Sequence, residues 1–199
     1  MSVSGVFQID LGFVEGQIQD GAPSVLSKRN YCESFFGSLC RRTLIRASDK
    51  LMHIRPATPA DTPAMMRLVK HSATAAQWSR EQFERVFGND PPRRVALVIE
   101  EAVGVQGFLV AHEVAGEWEI ENIAIAGSAR RRGLGTRLLG AFLDQARAQG
   151  ASAVFLEVRE SNHAARWLYE KWAFVESGRR PGYYTLPQED AIVYRLSLG

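Results

Sequence analysis

The run Ile123-Ala-Ile-Ala-Gly-Ser-Ala-Arg130-Arg-Arg-Gly133-Leu-Gly135-Thr136 is the part of the sequence best suited to hold an anion. An apolar strand-like stretch enters a turn with two glycines, and a helical pattern leaves it. Backbone N–H groups at a helix N-terminus, together with the helix dipole, bind phosphate. Glycine permits close backbone approach and unusual φ angles. Arg130, Arg131 and Arg132 add positive charge and side chains that reach phosphates. The turn lacks the Gly-Lys-Ser/Thr of a Walker loop and the third glycine of a dinucleotide fingerprint. On spacing alone, an ordinary strand-to-helix turn with a solvated basic cluster is an equal reading.

The second chemical signal is Glu157, which interrupts the apolar run Ala153-Val-Phe-Leu-Glu-Val. A carboxylate in a mostly buried strand has a raised pKa, and that suits a general base near neutrality. The alternative is a strand-end Glu paired with Arg159 or with a helix arginine. Glu119 and Glu121 share one face of the preceding strand, so both reach a substrate slot or both are exposed. Asn162 stands where a helix begins and suits an N-cap. His53, His71, His112 and His163 show no ligand spacing, which predicts no metal site. Cys32 and Cys40 are the only cysteines. Two are too few for a disulfide framework or a zinc quartet, and they read as reduced bystanders.

The elements that must carry these residues begin at Met52. Met52-His-Ile-Arg-Pro reads as a first strand. Thr58 caps a helix with Pro59 at its first position, running through Met65, Leu68 and Val69. Ser79-x-x-Gln82 resembles a capping box for a second helix ending at Gly88. Strands are expected at Val95–Glu100 and Gly104–Val114, joined by a tight hairpin. Glu117–Ala126 alternates Trp118, Ile120 and Asn122 against Glu119, Glu121 and Ile123. A helix from Gly133 or Leu134 to Gln149 places Leu134, Leu138, Leu139, Phe142 and Leu143 on one face. Ala153–Val158 is a strand covered on both faces, Asn162–Trp172 a helix, and Ala173–Glu176 and Ala191–Leu198 closing strands. Gly178 and Pro181-Gly182 read as a turn. The order predicts an α/β (α+β) fold, one sheet with helices on both faces.

Residues 1–51 have a different texture. They show no sustained period, although Tyr31–Ile45 has a weak helical pattern with Phe35, Leu39 and Leu44 on one side. Arg41, Arg42 and Arg46 read as a solvated face. No methionine lies between Met1 and Met52. The expectation is an extension, poorly structured or an artefact of too early a start codon, which the N-terminal peptide of the natural protein would settle.

Composition narrows the classes. The chain has 199 residues, 46% hydrophobic and 23% charged, with 24 Lys and Arg against 22 Asp and Glu. That length fits one domain, or one domain with an appendage, at globular composition. No run approaches the ~18 apolar residues of a membrane span. Asp10, Glu15 and Asp20 near the N-terminus argue against secretory and transit peptides. Balanced charge argues against nucleic-acid binding. The expectation is a cytoplasmic protein, a monomer or homodimer, without nucleic-acid or membrane partners.

Arg130-x-x-Gly133-x-Gly135 resembles the acetyl-CoA motif of the GNAT acetyltransferases, Gln/Arg-x-x-Gly-x-Gly/Ala, and the element order from Met52 onward is similar to that fold. Several further stretches resemble the ribosomal-protein-alanine N-acetyltransferases (RimI-type) within it. They are Trp78-Ser79, Glu121-Asn-Ile-Ala-Ile125, Leu156-Glu-Val-Arg-Glu-Ser-Asn162, and Trp167-Leu-Tyr-Glu170, where that family has Ala-Leu-Tyr-Glu. Phe174, Arg179-Arg180, Tyr183-Tyr184 and Glu189-Asp-Ala191 complete the series. The resemblance covers 52–199 and implies the GNAT acyl-CoA N-acyltransferase fold, a mixed, mostly antiparallel sheet. One departure is the inserted Pro181-Gly182, where the family has a single residue between Arg-Arg and Tyr-Tyr.

The resemblance implies roles. Backbone amides from Arg131 to Thr136, through Arg132, Gly133, Leu134 and Gly135, contact the cofactor pyrophosphate. Pantetheine lies along Ile123, Ala124 and Ile125 like an added strand, and Asn162 hydrogen-bonds it. Glu157 is the general base, with Glu119 or Glu121 as rivals acting through water. A backbone N–H near Ile125 stabilises the oxyanion. Tyr169 is the general acid to the leaving thiolate, whereas Trp167, Leu168 and Trp172 read as core aromatics and aliphatics at helical spacing. Arg179, Tyr183 and Tyr184 frame the substrate entrance.

The expected activity is direct transfer of acetyl from acetyl-CoA to a primary amine through a ternary complex. No cysteine after residue 40 could carry an acyl-enzyme. The favoured acceptor is a protein or peptide N-terminal α-amine. The rivals are a small amine (polyamine, amino acid or antibiotic) and a non-catalytic acetyl-CoA-binding regulator, which would need neither Glu157 nor Tyr169.

Overall fold

The computed structural model describes residues 8–10, 52–72 and 74–199. In chain order the strands and α-helices are β1 (Gln8–Asp10), β2 (His53–Pro56), α1 (Thr62–Lys70), α2 (Arg80–Val86), β3 (Arg94–Glu101), β4 (Gly104–Val114), β5 (Glu117–Ile125), α3 (Leu134–Ala148), β6 (Ala153–Arg159), α4 (His163–Lys171), β7 (Val175–Thr185) and β8 (Gln188–Ser197). The sheet runs β2-β3-β4-β5-β6-β8-β7, with β1 pairing β5 off that path. Only β5–β6 and β1–β5 are parallel, so the sheet is mixed and mostly antiparallel, as expected. The weak helix at Tyr31–Ile45, both cysteines and the Arg41, Arg42 and Arg46 group lie outside the described residues.

Period-two alternation sends successive strand residues to opposite faces. On β3 and β4, Leu97, Ile99, Leu109 and Ala111 pack with Leu138, Leu139, Phe142 and Leu143 of α3 and with Leu168 of α4. Val98, Phe108 and Val110 pack with Met65 and Val69 of α1 and Phe83 and Val86 of α2. Two cores therefore lie on the two faces, each large side chain contributing about 1.5–3 kcal/mol of burial.

The caps behave as the sequence predicts, with one adjustment. Ser79 N–H donates to Gln82 Oε1 at 2.8 Å, and Gln82 N–H to Ser79 Oγ at 3.3 Å, closing the box ahead of α2. That helix stops at Val86, two residues before Gly88. Pro59–Asp61 form a 3-10 turn, so α1 starts only at Thr62. The turn is held by Asp61, whose carboxylate accepts from Thr58 N–H at 2.8 Å and from two Arg55 nitrogens at 2.7 and 2.8 Å.

Two strands differ from expectation. In β5 the register against β4 slips between Val110 and Ala111, whose partners are Asn122 and Ile120. Glu121 is the extra residue of a β-bulge. The bulge breaks the predicted alternation: Ile123 joins Trp118 and Ile120 on the α3 face, while the Asn122 side chain donates to Ala76 C=O at 3.2 Å among residues of the other core. In β7 the predicted turn at Gly178 and Pro181-Gly182 is instead strand, antiparallel to β8. The extra residues are absorbed where Arg180 pairs Ala191 but Tyr184 pairs Glu189, and Gly182 N–H donates to Asp190 Oδ1 at 2.8 Å. Pro and Gly are tolerated in an edge strand at a ladder irregularity, and β7 is an edge strand.

Candidate active site

Parallel pairing of β5 with β6 ends at Ile120–Leu156. Beyond it β6 continues only with β8, through Glu157, Val158 and Arg159. The residues Asn122, Ile123 and Ala124 of β5 pair instead with Gln8, Ile9 and Asp10 of β1. The edge that the family resemblance assigns to pantetheine therefore accepts an added parallel strand, here one from the N-terminal segment.

The turn after β5 has the backbone its sequence requires. Gly133 caps α3 with φ 82°, in the left-handed region, and Arg131 has φ 60°. Nothing lies within 4 Å of a Cβ built on Gly133, so conformation and not space calls for glycine there. The first bond of the α3 ladder is Arg137 N–H to Gly133 C=O at 3.0 Å. The amides of Leu134, Gly135 and Thr136 precede that ladder and sit at the positive end of the dipole.

These amides open on a cavity of about 640 Å³ between the turn and α4. Its walls include the predicted residues Ile125, Arg130, Arg131, Gly133, Leu134, Gly135 and Thr136, and on α4 His163, Ala164, Trp167, Leu168 and Lys171. The three arginines divide. Arg131 is exposed at the cavity. Arg130 braces the turn, its Nε 3.4 Å from Ile125 C=O and Nη2 3.2 Å from Ser72 Oγ. Arg132 forks onto Glu101 at 2.6 and 3.1 Å and does not line the cavity. Among the described residues no cluster of His, Cys, Asp or Glu could hold a metal ion.

The residues fit acetyl-CoA. Ladder-free amides, a left-handed glycine and an exposed arginine suit a pyrophosphate, and the β5 edge suits an extended amide chain.

A second cluster lies on β5, β6 and β7. Glu157 is 4% exposed; one oxygen meets Arg180 Nη2 at 2.8 Å, and the other is buried without a hydrogen bond. The lone buried carboxylate expected from the apolar run is thus an ion-paired one, but its partner is Arg180 and not Arg159. Arg159 pairs with Glu189 at 3.2 Å and lies over the Tyr184 ring. Tyr183 hydrogen-bonds Glu157, and its hydroxyl is pushed up, first by burial and then by that carboxylate. Glu119 faces the same group and titrates above the usual carboxylate range, chiefly through burial and with the charges of Glu157 and Glu121 adding to it.

Glu121 is placed differently. The bulge ties it to Arg94 Nε at 3.1 Å and to His112 Nδ1 at 3.3 Å, and it is 4% exposed. Tyr184 is buried beneath Arg159, so of the two tyrosines only half-buried Tyr183 reaches the rim. Arg179 is spent on Glu160 at 2.6 Å.

On α4, Asn162 caps the helix by accepting from Ala165 N–H at 3.2 Å, and its Nδ2 donates to Thr74 Oγ1 at 3.3 Å. Tyr169 is fully buried against Phe174 and Tyr194. Its hydroxyl has no hydrogen-bond partner, and burial raises its pKa well above the ordinary value. Leu168 is in the core as expected and Trp172 packs against it, but Trp167 is 64% exposed. Helical spacing puts Trp167 on the face of His163 and Lys171, not inward. Arg94 was not singled out, Arg180 entered only within the Arg179-Arg180 stretch of the resemblance, and His112 only as a histidine without ligand spacing; a long-range ion pair leaves no mark in local spacing.

Residues 62–174 match the acetyltransferase (GNAT) family model, more than half the chain. The [ribosomal protein bS18]-alanine N-acetyltransferase of Salmonella typhimurium is 36% identical over 140 residues, 69% of this chain and 92% of that protein. The crystal structure of the ribosomal-protein-S18-alanine N-acetyltransferase from Escherichia coli superposes with TM-score 0.68 at 31% identity, over 75% of this chain and 95% of that one. Ard1 from Thermoplasma volcanium gives TM-score 0.65 at 28% identity, over 74% and 97%. With its phosphate-type turn, its split β5–β6 pair and these likenesses, the chain belongs to the GNAT family of acetyltransferases.

Proposed function

We propose that the protein transfers acetyl from acetyl-CoA directly to the α-amine of a protein or peptide N-terminus. The single observation carrying this is the 36% identity, over 92% of that protein's length and 69% of this chain, to an enzyme named for alanine N-acetylation of a ribosomal protein. Bound acetyl-CoA supplies the activated thioester carbonyl. The amides of Leu134, Gly135 and Thr136 with Arg131 hold its phosphates, and the β5 edge at Ile123–Ile125 aligns its extended arm. Asn162 adds its hydrogen bond at the start of α4.

Glu157 accepts the amine proton through the oxygen that Arg180 leaves unpaired. An α-amine titrates near ~8, so little driving force is needed. Tyr169 returns a proton to the departing thiolate, and burial keeps its hydroxyl protonated until then. An amide near Ile125 stabilises the developing oxyanion. Glu119 and Tyr183 line the acceptor side.

The polycation alternative loses support from the ion pairs. Arg94 and His112 accompany Glu121, and Arg180 accompanies Glu157, so the three glutamates do not form an uncompensated acidic pocket. The regulator alternative gives no use to a buried, partnerless Tyr169 hydroxyl. In this reading residues 52–199 are the catalytic domain, cytoplasmic and a monomer or homodimer. Residues 1–51 are an extension whose β1 pairs with the β5 edge at Asn122–Ala124 and leaves it when the donor arm binds there. Acetylation of an Ala-starting peptide, but not of its N-terminally blocked form, tests the acceptor.

A further inference from the structure

The cavity has walls that reach beyond the turn proposed to hold the pyrophosphate. From the amides of α3 it extends across α4, where His163, Trp167 and Lys171 stand one turn apart along one face. Trp167 is the one aromatic among the exposed large apolar side chains of the described residues. Burying an indole elsewhere on this helix was open to the sequence, since Leu168 and Tyr169 beside it are both buried. Lys171 Nζ stands 5.3 Å from the Trp167 ring centroid. Among the described residues Lys171 and Arg131 pair with no carboxylate, whereas Arg130 and Arg132 are committed to Ser72 and Glu101. Arg131 on the turn and Lys171 on α4 thus both line the cavity without a carboxylate partner among the described residues, and the exposed indole stands beside Lys171.

We propose that Trp167 and Lys171 receive the nucleotide end of the donor, the indole stacking on the purine and the ammonium pairing with the ribose phosphate. This rests on acetyl-CoA being the donor. Aromatic side chains bind any base through its π-face, and a cation held over the same ring adds attraction for a phosphate beside it. The pair sets how strongly the protein prefers the complete donor over shorter thiol carriers. The site therefore discriminates by the part of the molecule that does not react.

The test is calorimetric titration of the full chain and two variants with CoA, 3′-dephospho-CoA and 4′-phosphopantetheine. Both side chains are exposed, and unchanged thermal unfolding verifies each variant's fold. Trp167→Ala raises the Kd for CoA and for 3′-dephospho-CoA about tenfold or more, without raising that for 4′-phosphopantetheine. Lys171→Met weakens CoA but not 3′-dephospho-CoA. Variants that bind CoA as tightly as the parent, or that weaken all three by one factor, overturn the proposal. A parent protein that binds none of the three overturns the donor assignment as well.

Discussion

Arg180 Nη2 lies 2.8 Å from Glu157 Oε1, joining a buried carboxylate on β6 to an exposed strand, β7, that is two positions away in the sheet. The pair leaves the second oxygen of Glu157 buried and without a hydrogen-bond partner, and that oxygen is the proposed proton acceptor. Immediately after Arg180 the register of β7 against β8 shifts by two residues.

Glu157→Gln removes that acceptor. It lowers kcat/KM on the order of 10²–10⁴-fold, the usual contribution of a positioned base. Glu119→Gln, measured beside it in steady state, has the smaller effect. A larger loss in the Glu119 variant would move the base to β5.

Tyr169→Phe separates catalysis from folding. The hydroxyl is buried without a hydrogen bond, so its removal costs no interaction and spares a desolvation penalty. The urea midpoint stays level or rises, while kcat falls about 100-fold. A fall in the midpoint would reveal a structural partner for this hydroxyl.

Gly107 of β4 faces Ile125 across the ladder. A Cβ there would stand 2.4 Å from Ile125 Cδ1 and 2.9 Å from the Ala124 carbonyl oxygen. The side-chain contact can swing aside, but the backbone carbonyl cannot. Gly107→Val thus costs about 1–3 kcal/mol in thermal or urea unfolding, and it displaces the edge proposed to align the donor, raising KM for acetyl-CoA.

Asp61 gives the fold a pH signature. Hydrogen bonds from Arg55 hold its carboxyl at about 2, below the ordinary 3.8. A depressed pKa contributes stability that is complete above the unfolded value and lost as pH falls through the folded one. Asp61→Asn accordingly costs about 2 kcal/mol at neutral pH. The difference from the parent protein narrows below about pH 4 and closes near pH 2 in urea titrations. A difference independent of pH would assign the effect to packing.

Local patterns were legible in the sequence and long-range pairing was not. The Ser79 box, the α3 stripe and the Gly133 turn each depend on neighbours within four residues, and the structure has all three. Three misreadings have one cause. The slip at Glu121 depends on β4, the length of β7 on β8, and the exposure of Trp167 on the direction in which α4 meets the sheet. Arg180 as the partner of Glu157 is of the same kind, since 23 residues separate them. At Trp167 the departure from Ala in the resembling family was visible, and that departure was the available clue to an exposed role.

The acceptor is the most direct test of the whole account. The protein is incubated with acetyl-CoA and a mixture of peptides starting with Ala, Ser, Met or Gly, a lysine peptide with a blocked N-terminus, and spermidine, and the masses are read. The account predicts a gain of about 42 Da, one acetyl group replacing one hydrogen, on Ala- or Ser-starting peptides alone. Acetylation of spermidine or of the blocked lysine peptide in their place would contradict it.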